Sequence, residues 1–296
     1  MAQLQKFPHF LASELPQPDP RKALFHMIPA PFERSVSYGK GTASGPAAIL
    51  ESSSQLELFD GFSIPAEHGI YTAPAVDCDG NAEDVLKNIS DAVSGVLKIN
   101  KIPVVLGGEH TVSVGAFTAL KKFFRDFGIV QFDAHADLRD TYEETSLSHA
   151  CVMRRALDMG IPIFQVGVRS LSYDEHRLRE DRKIGRLDAR EIHLSGIPDP
   201  LLPPDFPPNV YITFDVDGLD PSLMPATGTP EPGGLTWIQT FAALESIISG
   251  RTVIGLDVVE LAPIPGLHAP EFTTARLLYN LLGLITRKKT GRQDRN

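Results

Sequence analysis

The chain has 296 residues, of which 22% are charged, and its formal net charge is −9. This negative charge argues against a nucleic-acid partner, and no apolar run approaches the length of a membrane span. Two cysteines, Cys78 and Cys151, lie far apart without metal-binding spacing, and no secretory signal is visible at the N-terminus. We therefore expect free thiols and a soluble cytoplasmic protein that binds neither nucleic acid nor membrane.

The N-terminal segment differs in composition from the rest of the chain. Residues 1–22 are polar and proline-bearing, which predicts an N-terminal arm that lies on the surface or on a neighbouring subunit. Nothing divides residues 23–296, so we predict a single domain there. A strand is expected over 23–28, and Ser44-Gly45-Pro46 predicts a helix start with proline in the first turn.

From residue 82 onward, segments with helical apolar spacing alternate with short runs rich in β-branched residues. Helices are predicted over 82–99, 112–124, 149–158, 173–180, 237–249 and 273–286. Strands are predicted over 102–106, 128–132, 163–168, 209–214 and 252–259. Strands that are apolar on both faces and separated by helices indicate an α/β fold, with a parallel sheet covered on both sides.

Three side chains that can bind a metal follow the strand that ends at Phe132. Asp133, His135 and Asp137 stand at alternate positions, and alternate residues of an extended chain point to the same side. They therefore project together from the carboxyl end of the strand, where open α/β sheets bind their ligands.

Two further strand ends carry matching residues. Asp215 and Asp217 follow the run 209–214, and His110 follows an apolar run that breaks at a glycine pair. Carboxylates with some imidazole suit Mn²⁺ and disfavour a soft-metal site. Four carboxylates at one place would repel one another, and two divalent ions between them would relieve that repulsion.

With these motifs in hand, the chain resembles the ureohydrolases of the arginase and agmatinase family. The matching stretches are Leu106–Ser113, Phe132–Asp137, Thr213–Pro221, Gly228–Leu235 and Asp257–Glu260. The resemblance covers the chain from about residue 23 to its end. It is strongest to agmatinases, through residues 230–234 and 148–151, although Ala226 stands where many agmatinases have glycine. The resemblance implies a three-layer α/β/α sandwich around a mostly parallel sheet of about eight strands.

The resemblance also implies the roles of the site residues. Two Mn²⁺ per chain would be held by six ligands, with two of the aspartates bridging, and a bridging hydroxide would attack the guanidinium carbon. The implied ligands are His110, Asp133, His135, Asp137, Asp215 and Asp217. The implied catalytic residues are His149, a proton shuttle near the mouth of the site, Glu260, which binds the guanidinium, and Asp137. The family further implies a homo-oligomer, a trimer or a hexamer.

The favoured substrate is agmatine, hydrolysed to putrescine and urea in polyamine biosynthesis. The loop 138–147 is acidic, so we predict that Asp140, Glu143 and Glu144 join Glu260 in binding a cationic substrate. Arg139 keeps guanidinobutyrase open as an alternative, because it could meet a carboxylate. Arginase and formimidoylglutamase are further alternatives, as are nickel, cobalt or zinc in place of manganese. A non-catalytic homologue would have lost ligands, and a related deacetylase would carry a mononuclear zinc site.

Overall fold

The computed structural model describes residues 7–289 and contains one sheet of eight strands, all of them parallel. The strand order across the sheet is β2-β1-β3-β8-β7-β4-β5-β6. The strands are β1 (Phe25–Ala30), β2 (Ile70–Thr72), β3 (Ile102–Gly107), β4 (Gly128–Phe132), β5 (Ile163–Val166), β6 (Gly185–Leu187), β7 (Asn209–Asp215) and β8 (Thr252–Val259). The predicted α/β class is confirmed.

Eight α-helices connect and flank these strands. They are α1 (Gly45–Ser53), α2 (Ala82–Lys98), α3 (Val112–Phe123), α4 (Val152–Asp158), α5 (Tyr173–Asp181), α6 (Ala189–Ser195), α7 (Trp237–Gly250) and α8 (Ala269–Lys289). Within the described part of the chain, none of the helices combines the length and the apolar character that crossing a membrane would require.

The core lies in two layers, one on each face of the sheet. Successive residues of β3 alternate between them: Val104 and Leu106 pack into one layer, and Val105 packs into the other. Helices α1, α7 and α8 cover the first layer, and α2, α3 and α4 cover the second. This alternation follows from the two-residue period of a strand and confirms the three-layer sandwich.

The described part of the N-terminal segment packs against its own chain. Phe10 and Leu11 are buried, and their backbone N–H groups donate hydrogen bonds to the hydroxyls of Thr72 and Ser53, each over 2.9 Å. Residues 1–6 lie outside the described residues. The division between an arm over 1–22 and a domain over 23–296 stays a prediction.

Most predicted elements agree with the structure, with a few differences at ends and edges. The fifth strand ends at Val166, not at residue 168, because Gly167 turns the backbone with a φ of 92°. The predicted helix 149–158 is α-helical only from Val152, after one 3-10 turn. The short edge strands β2 and β6 and the helix α6 were not predicted, because three to seven residues give little periodicity.

Candidate metal centre

The residues with metal-binding chemistry meet at the carboxyl ends of four adjacent strands. Strands β3, β8, β7 and β4 are neighbours at the middle of the sheet. His110 lies three residues after β3, Asp133 directly follows β4, Asp215 ends β7, and Glu260 directly follows β8. Side chains separated by more than a hundred residues in sequence therefore converge at one edge of the sheet, the usual place for a ligand in this architecture.

The first cluster surrounds His110. Its Nδ1 atom lies 3.2 Å from Asp133 Oδ2, 3.0 Å from Asp137 Oδ2 and 3.5 Å from Asp215 Oδ2. All four side chains are buried. One imidazole nitrogen and three carboxylate oxygens thus face a common point.

The second cluster lies beside the first and shares Asp133 with it. His135 Nδ1 is 3.0 Å from Asp217 Oδ2 and 3.6 Å from Asp133 Oδ1. The structure therefore brings all six predicted ligands together, and two overlapping groups of them have geometry suited to a metal ion.

The orientation of His110 shows that these residues fit cations. Its Nε2 lies 2.8 Å from the Thr213 hydroxyl, which itself donates a 2.7 Å hydrogen bond to Asp257 Oδ1. The Thr213 oxygen is therefore an acceptor for an Nε2–H of His110, so the lone pair of a neutral ring lies on Nδ1. That lone pair points at three carboxylates, and a cation between them would make all four groups favourable ligands.

The pKa values of the acids reflect the same crowding of charge. Burial, followed by the charges of Asp217 and Asp133, raises the pKa of Asp215 well above its usual value. Burial and the charge of Asp133 raise the pKa of Asp137 to about 7. Burial favours a neutral His135, but its hydrogen bonds to Asp133 and Asp217 outweigh burial and raise its pKa to about 12. Without cations, the centre therefore retains protons that metal ions would displace.

A row of polar side chains that we did not predict supports the centre from within the sheet. Gln165, Gln131, Thr213 and Asp257 are register partners on the neighbouring strands β5, β4, β7 and β8, and all four are buried. Gln131 donates a 2.7 Å hydrogen bond to Asp133 Oδ2. Thr213 contacts a second ligand, because its hydroxyl oxygen lies 2.8 Å from His110 Nε2. The sequence carried a signal for this row, because Gln131 and Thr213 stand two residues before the ligands of their strands and so share their face.

Backbone strain marks two of the site residues. Asp137 and Glu260 have φ values of 52° and 66°, in the left-handed region that side chains other than glycine rarely adopt. Glu260 Oε1 accepts a 2.6 Å hydrogen bond from the His110 backbone N–H, and the Glu260 N–H donates to the Gly108 carbonyl over 2.9 Å. Such strained residues cluster at functional sites, where the surrounding structure holds them.

His149 lies at the mouth of the site and outside both ligand clusters. Its Nε2 is 2.9 Å from the Ser37 hydroxyl, and its Nδ1 is 3.1 Å from the Ser35 hydroxyl. Tyr142 packs edge-on against the ring, with centroids 5.5 Å apart. Burial lowers the pKa of His149, against an opposing effect of the Glu109 carboxylate.

Two adjoining cavities open over the strand ends. A narrow one of about 30 Å³ lies over the ligands and is also lined by His149, Glu260 and Thr227. A larger one of about 280 Å³ continues from it and includes Arg139, Tyr142 and Glu175 in its lining. His135, Asp137 and His149 line both, so a molecule held at the metal centre can extend into the larger cavity.

The three loop acids predicted to bind substrate lie elsewhere. Asp140 lines a neighbouring surface cleft and pairs with Arg155 over 2.8 Å and with Arg154 over 3.4 Å. Glu143 and Glu144 are exposed, with φ values of 47° and 67° in a tight turn. None of the three is among the residues that line the two cavities over the strand ends.

Comparisons with known proteins agree with this fold and site. A family model for the arginase family matches residues 23–283. An N(1)-aminopropylagmatine ureohydrolase from Synechocystis sp. is 36% identical, with 87% of each chain covered. An agmatinase from Pyrococcus horikoshii is 34% identical over 93% of this chain and 96% of its own. The crystal structure of an agmatine ureohydrolase from Thermoplasma volcanium superimposes with a TM-score of 0.82 at 29% identity, covering 93% of this chain and 94% of that one.

Proposed function

The chain belongs to the arginase family of dinuclear-metal amidinohydrolases, and from this premise we propose that it hydrolyses agmatine or a longer agmatine-type cation to release urea. One observation carries the proposal. Two clusters of imidazole and carboxylate share Asp133, and the His110 lone pair faces three acids at one point. The protein is a hydrolase that acts on C–N bonds, and we propose the identity of its substrate.

We assign six residues to two divalent ions. His110, Asp133, Asp137 and Asp215 would hold one ion, and Asp133, His135, Asp215 and Asp217 the other. An oxygen-rich site with some imidazole suits Mn²⁺, which we propose as the metal. When bound, the two ions would provide a water-derived nucleophile at neutral pH and polarise the group that it attacks.

Glu260 is proposed to orient the guanidinium. Its carboxylate lines the narrow cavity, and the His110 N–H holds one of its oxygens. Burial and then the charge of Glu109 raise the pKa of Glu260 well above its usual value. A guanidinium cation beside it would lower that pKa, so its binding would be coupled to loss of the carboxyl proton. A carboxylate can accept paired N–H donors from a planar guanidinium, which fixes the plane of the group. A fixed plane presents the guanidinium carbon to the metal side of the cavity.

His149 is proposed to protonate the departing amine. The ring borders both cavities, so it stands where the guanidinium meets the tail of the substrate. As the C–N bond breaks, the amine needs a proton, and an imidazolium within hydrogen-bond reach can supply it. The lowered pKa of His149 makes that imidazolium a stronger acid. Asp137 would be a ligand of one ion in our assignment, and on this basis we propose that it is also a catalytic residue.

A longer substrate is a second candidate. Several relatives are named for N(1)-aminopropylagmatine, and the cavity beside the metal centre measures about 280 Å³. Small-molecule sites are on the order of 300–1,000 Å³, so this cavity is close to the size of a ligand site and leaves room for an extended polyamine tail. The lining includes the acid Glu175 and the base Arg139, so 4-guanidinobutanoate remains an alternative to be tested.

We further propose that the protein works in the cytoplasm, as a homo-oligomer, in polyamine biosynthesis. The polyamine-related names of the relatives support the pathway. The free cysteines Cys78 and Cys151 support a reducing compartment. Size measurement in solution would give the oligomeric state directly.

Urea release from a panel of guanidino compounds tests the proposal. Agmatine, N(1)-aminopropylagmatine, 4-guanidinobutanoate and L-arginine would be compared by kcat/KM, with protein reconstituted with Mn²⁺ and with metal-free protein as the control. We expect the two substrates with cationic tails to be preferred. A clear preference for guanidinobutanoate would refute the agmatine assignment, and absence of urea from all four would refute the proposed reaction.

A further inference from the structure

A buried carboxylate next to the metal site binds a loop that reaches His149. Glu109 is fully buried, and four groups donate hydrogen bonds to it. Oε2 accepts from the backbone N–H groups of Arg34 and Ser35, over 2.5 and 2.6 Å. Oε1 accepts from the hydroxyls of Ser35 and Thr111, over 2.8 and 2.6 Å. The three bonds from Arg34 and Ser35 fix the start of the loop that carries Ser35 and Ser37.

The close approach of that loop depends on the glycine pair before Glu109. A Cβ atom on Gly108 would lie 2.0 Å from the carbonyl oxygen of Phe32, so a side chain there would displace the loop. The Glu109 N–H donates to that same carbonyl over 2.8 Å. The loop is therefore attached to the segment that follows β3 at Phe32, Arg34 and Ser35.

The hydrogen bonds of Ser35 determine which nitrogen of His149 carries the proton. A serine hydroxyl has one hydrogen, and here it is donated to Glu109. Its oxygen then accepts from the His149 backbone N–H and faces His149 Nδ1, each at 3.1 Å. A hydrogen bond between Ser35 and Nδ1 therefore requires that the ring carry a proton there. The Ser148 hydroxyl lies 3.3 Å from Nδ1 and can accept that same proton.

We propose that Ser35, held by Glu109, is a positioning residue that keeps the His149 proton on Nδ1 and leaves Nε2 as the nitrogen that exchanges protons with the substrate. This inference rests on the proposed function, because it assigns Nε2 a task in the hydrolysis. It adds to that function a chain of hydrogen bonds that links the Glu109 carboxylate, the Ser35 hydroxyl and the His149 imidazole.

This arrangement lets the His149 imidazole transfer a proton without a flip of the ring. When His149 is doubly protonated, Nε2–H gives its proton to the nitrogen of the breaking C–N bond. That nitrogen keeps the electron pair of the bond, so the amine leaves as a neutral amine. The ring that remains is the Nδ1–H form, which Ser35 already stabilises. Nε2 then regains a proton from water, and the Ser37 hydroxyl, 2.9 Å away, lies between this nitrogen and solvent. The order of events therefore needs no change of tautomer.

A purely structural explanation exists, in which Ser35 only holds the loop, and a double-mutant cycle separates the two. Ser35→Ala, His149→Ala and the double variant would be compared in the metal-loaded enzyme, with the best guanidino substrate of the wild type. Ser35→Thr keeps a hydroxyl and serves as the conservative variant. Ser246→Ala is the matched control, because Ser246 is about as buried, at 8% against 7%, and bonds Leu201 and Asp199 on another part of the molecule.

We expect Ser35→Ala to lower kcat at least about 10-fold, a share of the ~10²–10⁴-fold that a positioned acid–base group provides. KM and metal content should stay near those of the wild type, Ser35→Thr should recover part of kcat, and Ser246→Ala should have normal kcat. In the His149→Ala background, the same change should cost less than about 2-fold, because the group it positions is gone.

Equal losses in both backgrounds would overturn the proposal and leave Ser35 as a structural residue, and so would normal turnover of Ser35→Ala. These outcomes are distinct from failure of the proposed function, which would appear as a wild-type enzyme that releases no urea from any guanidino compound.

Discussion

The acids at the strand ends and the acids in the loop 138–147 are the same residue types in opposite circumstances. Asp133 and Asp215 are buried, face imidazole nitrogens and lie among other carboxylates. Asp140 is 66% exposed and already has two arginines beside it, and Glu143 and Glu144 are exposed turn residues. Burial with like charges creates a demand for cations, whereas an exposed ion pair is close to balanced.

An acidic residue therefore indicates a cationic ligand only where no neighbouring cationic group neutralises its charge. The alternating pattern identified the strand-end acids because it also placed them on one face of a buried strand. The loop 138–147 is also acidic, but its acids do not follow the alternation of a buried strand.

Replacing Asp215 should have the greatest effect. We expect Asp215→Ala to lose both ions and fall to background activity, because this carboxylate is assigned to both clusters. Metal analysis after gel filtration checks this, with Asp140→Ala as the exposed-acid control that keeps its metals. Two tightly held ions per chain in Asp215→Ala would contradict the assignment of this residue as a bridge.

Replacing His149 should have the next largest effect. His149→Ala should retain both ions and lose about 10²–10⁴-fold in kcat, because the proton donor is removed while the ligands stay in place. Steady-state kinetics with metal analysis of the same sample measures both, and added imidazole should restore part of the rate. Near-normal turnover would show that this histidine takes no part in proton transfer.

Acidification should lower the affinity for metal ions, and the pH dependence of that affinity should reveal the protonation of Asp137. Its pKa is raised to about 7, so below that pH a proton occupies a ligand that an ion must displace. Ion binding should release the protons of His110, His135 and Asp215, because the pKa values of all three are raised. One more proton per chain, from Asp137, should be released below about pH 7. We expect Mn²⁺ affinity to fall about 10-fold further per pH unit there than above it. Calorimetry in buffers of different ionisation enthalpy counts the protons, and a constant count from about pH 6 to pH 8 would contradict the prediction.

Replacing the loop acid should have the smallest effect. Asp140→Asn removes a charge that Arg154 and Arg155 already balance at an exposed position, so kcat/KM for agmatine should change less than about 3-fold. Assays with agmatine and 4-guanidinobutanoate in parallel isolate any effect on the cationic tail. A loss above about 10-fold, specific to agmatine, would support the predicted role of this loop in binding the substrate.

Much of the fold and the metal centre could be predicted from the sequence, for physical reasons. The helix α2 has a strong helical periodicity, and β8 is a long, mostly apolar run, so both could be recognised. The ligands that follow β4 and β7 were predicted from the alternation of side chains along a strand. The short elements β2 and β6 could not be predicted, because three residues have no readable period. The surroundings of His149 were also out of reach: Ser35 is 114 residues away in sequence, and only the tertiary fold brings the two together.

The polar row beneath the site also constrains how the strands pair. Gln131 is opposite Thr213, and Thr213 is opposite Asp257, between apolar residues that alternate with them along each strand. A slip of one residue between β4 and β7 would turn Thr213 towards the apolar layer under α7 and α8, where its hydroxyl would lose Asp257 as its acceptor. Strands that are apolar on both faces carry little information about their alignment, since either face suits the core. In this sheet the buried amides, hydroxyl and acid supply that information, so the side chains that orient the metal ligands also specify strand register.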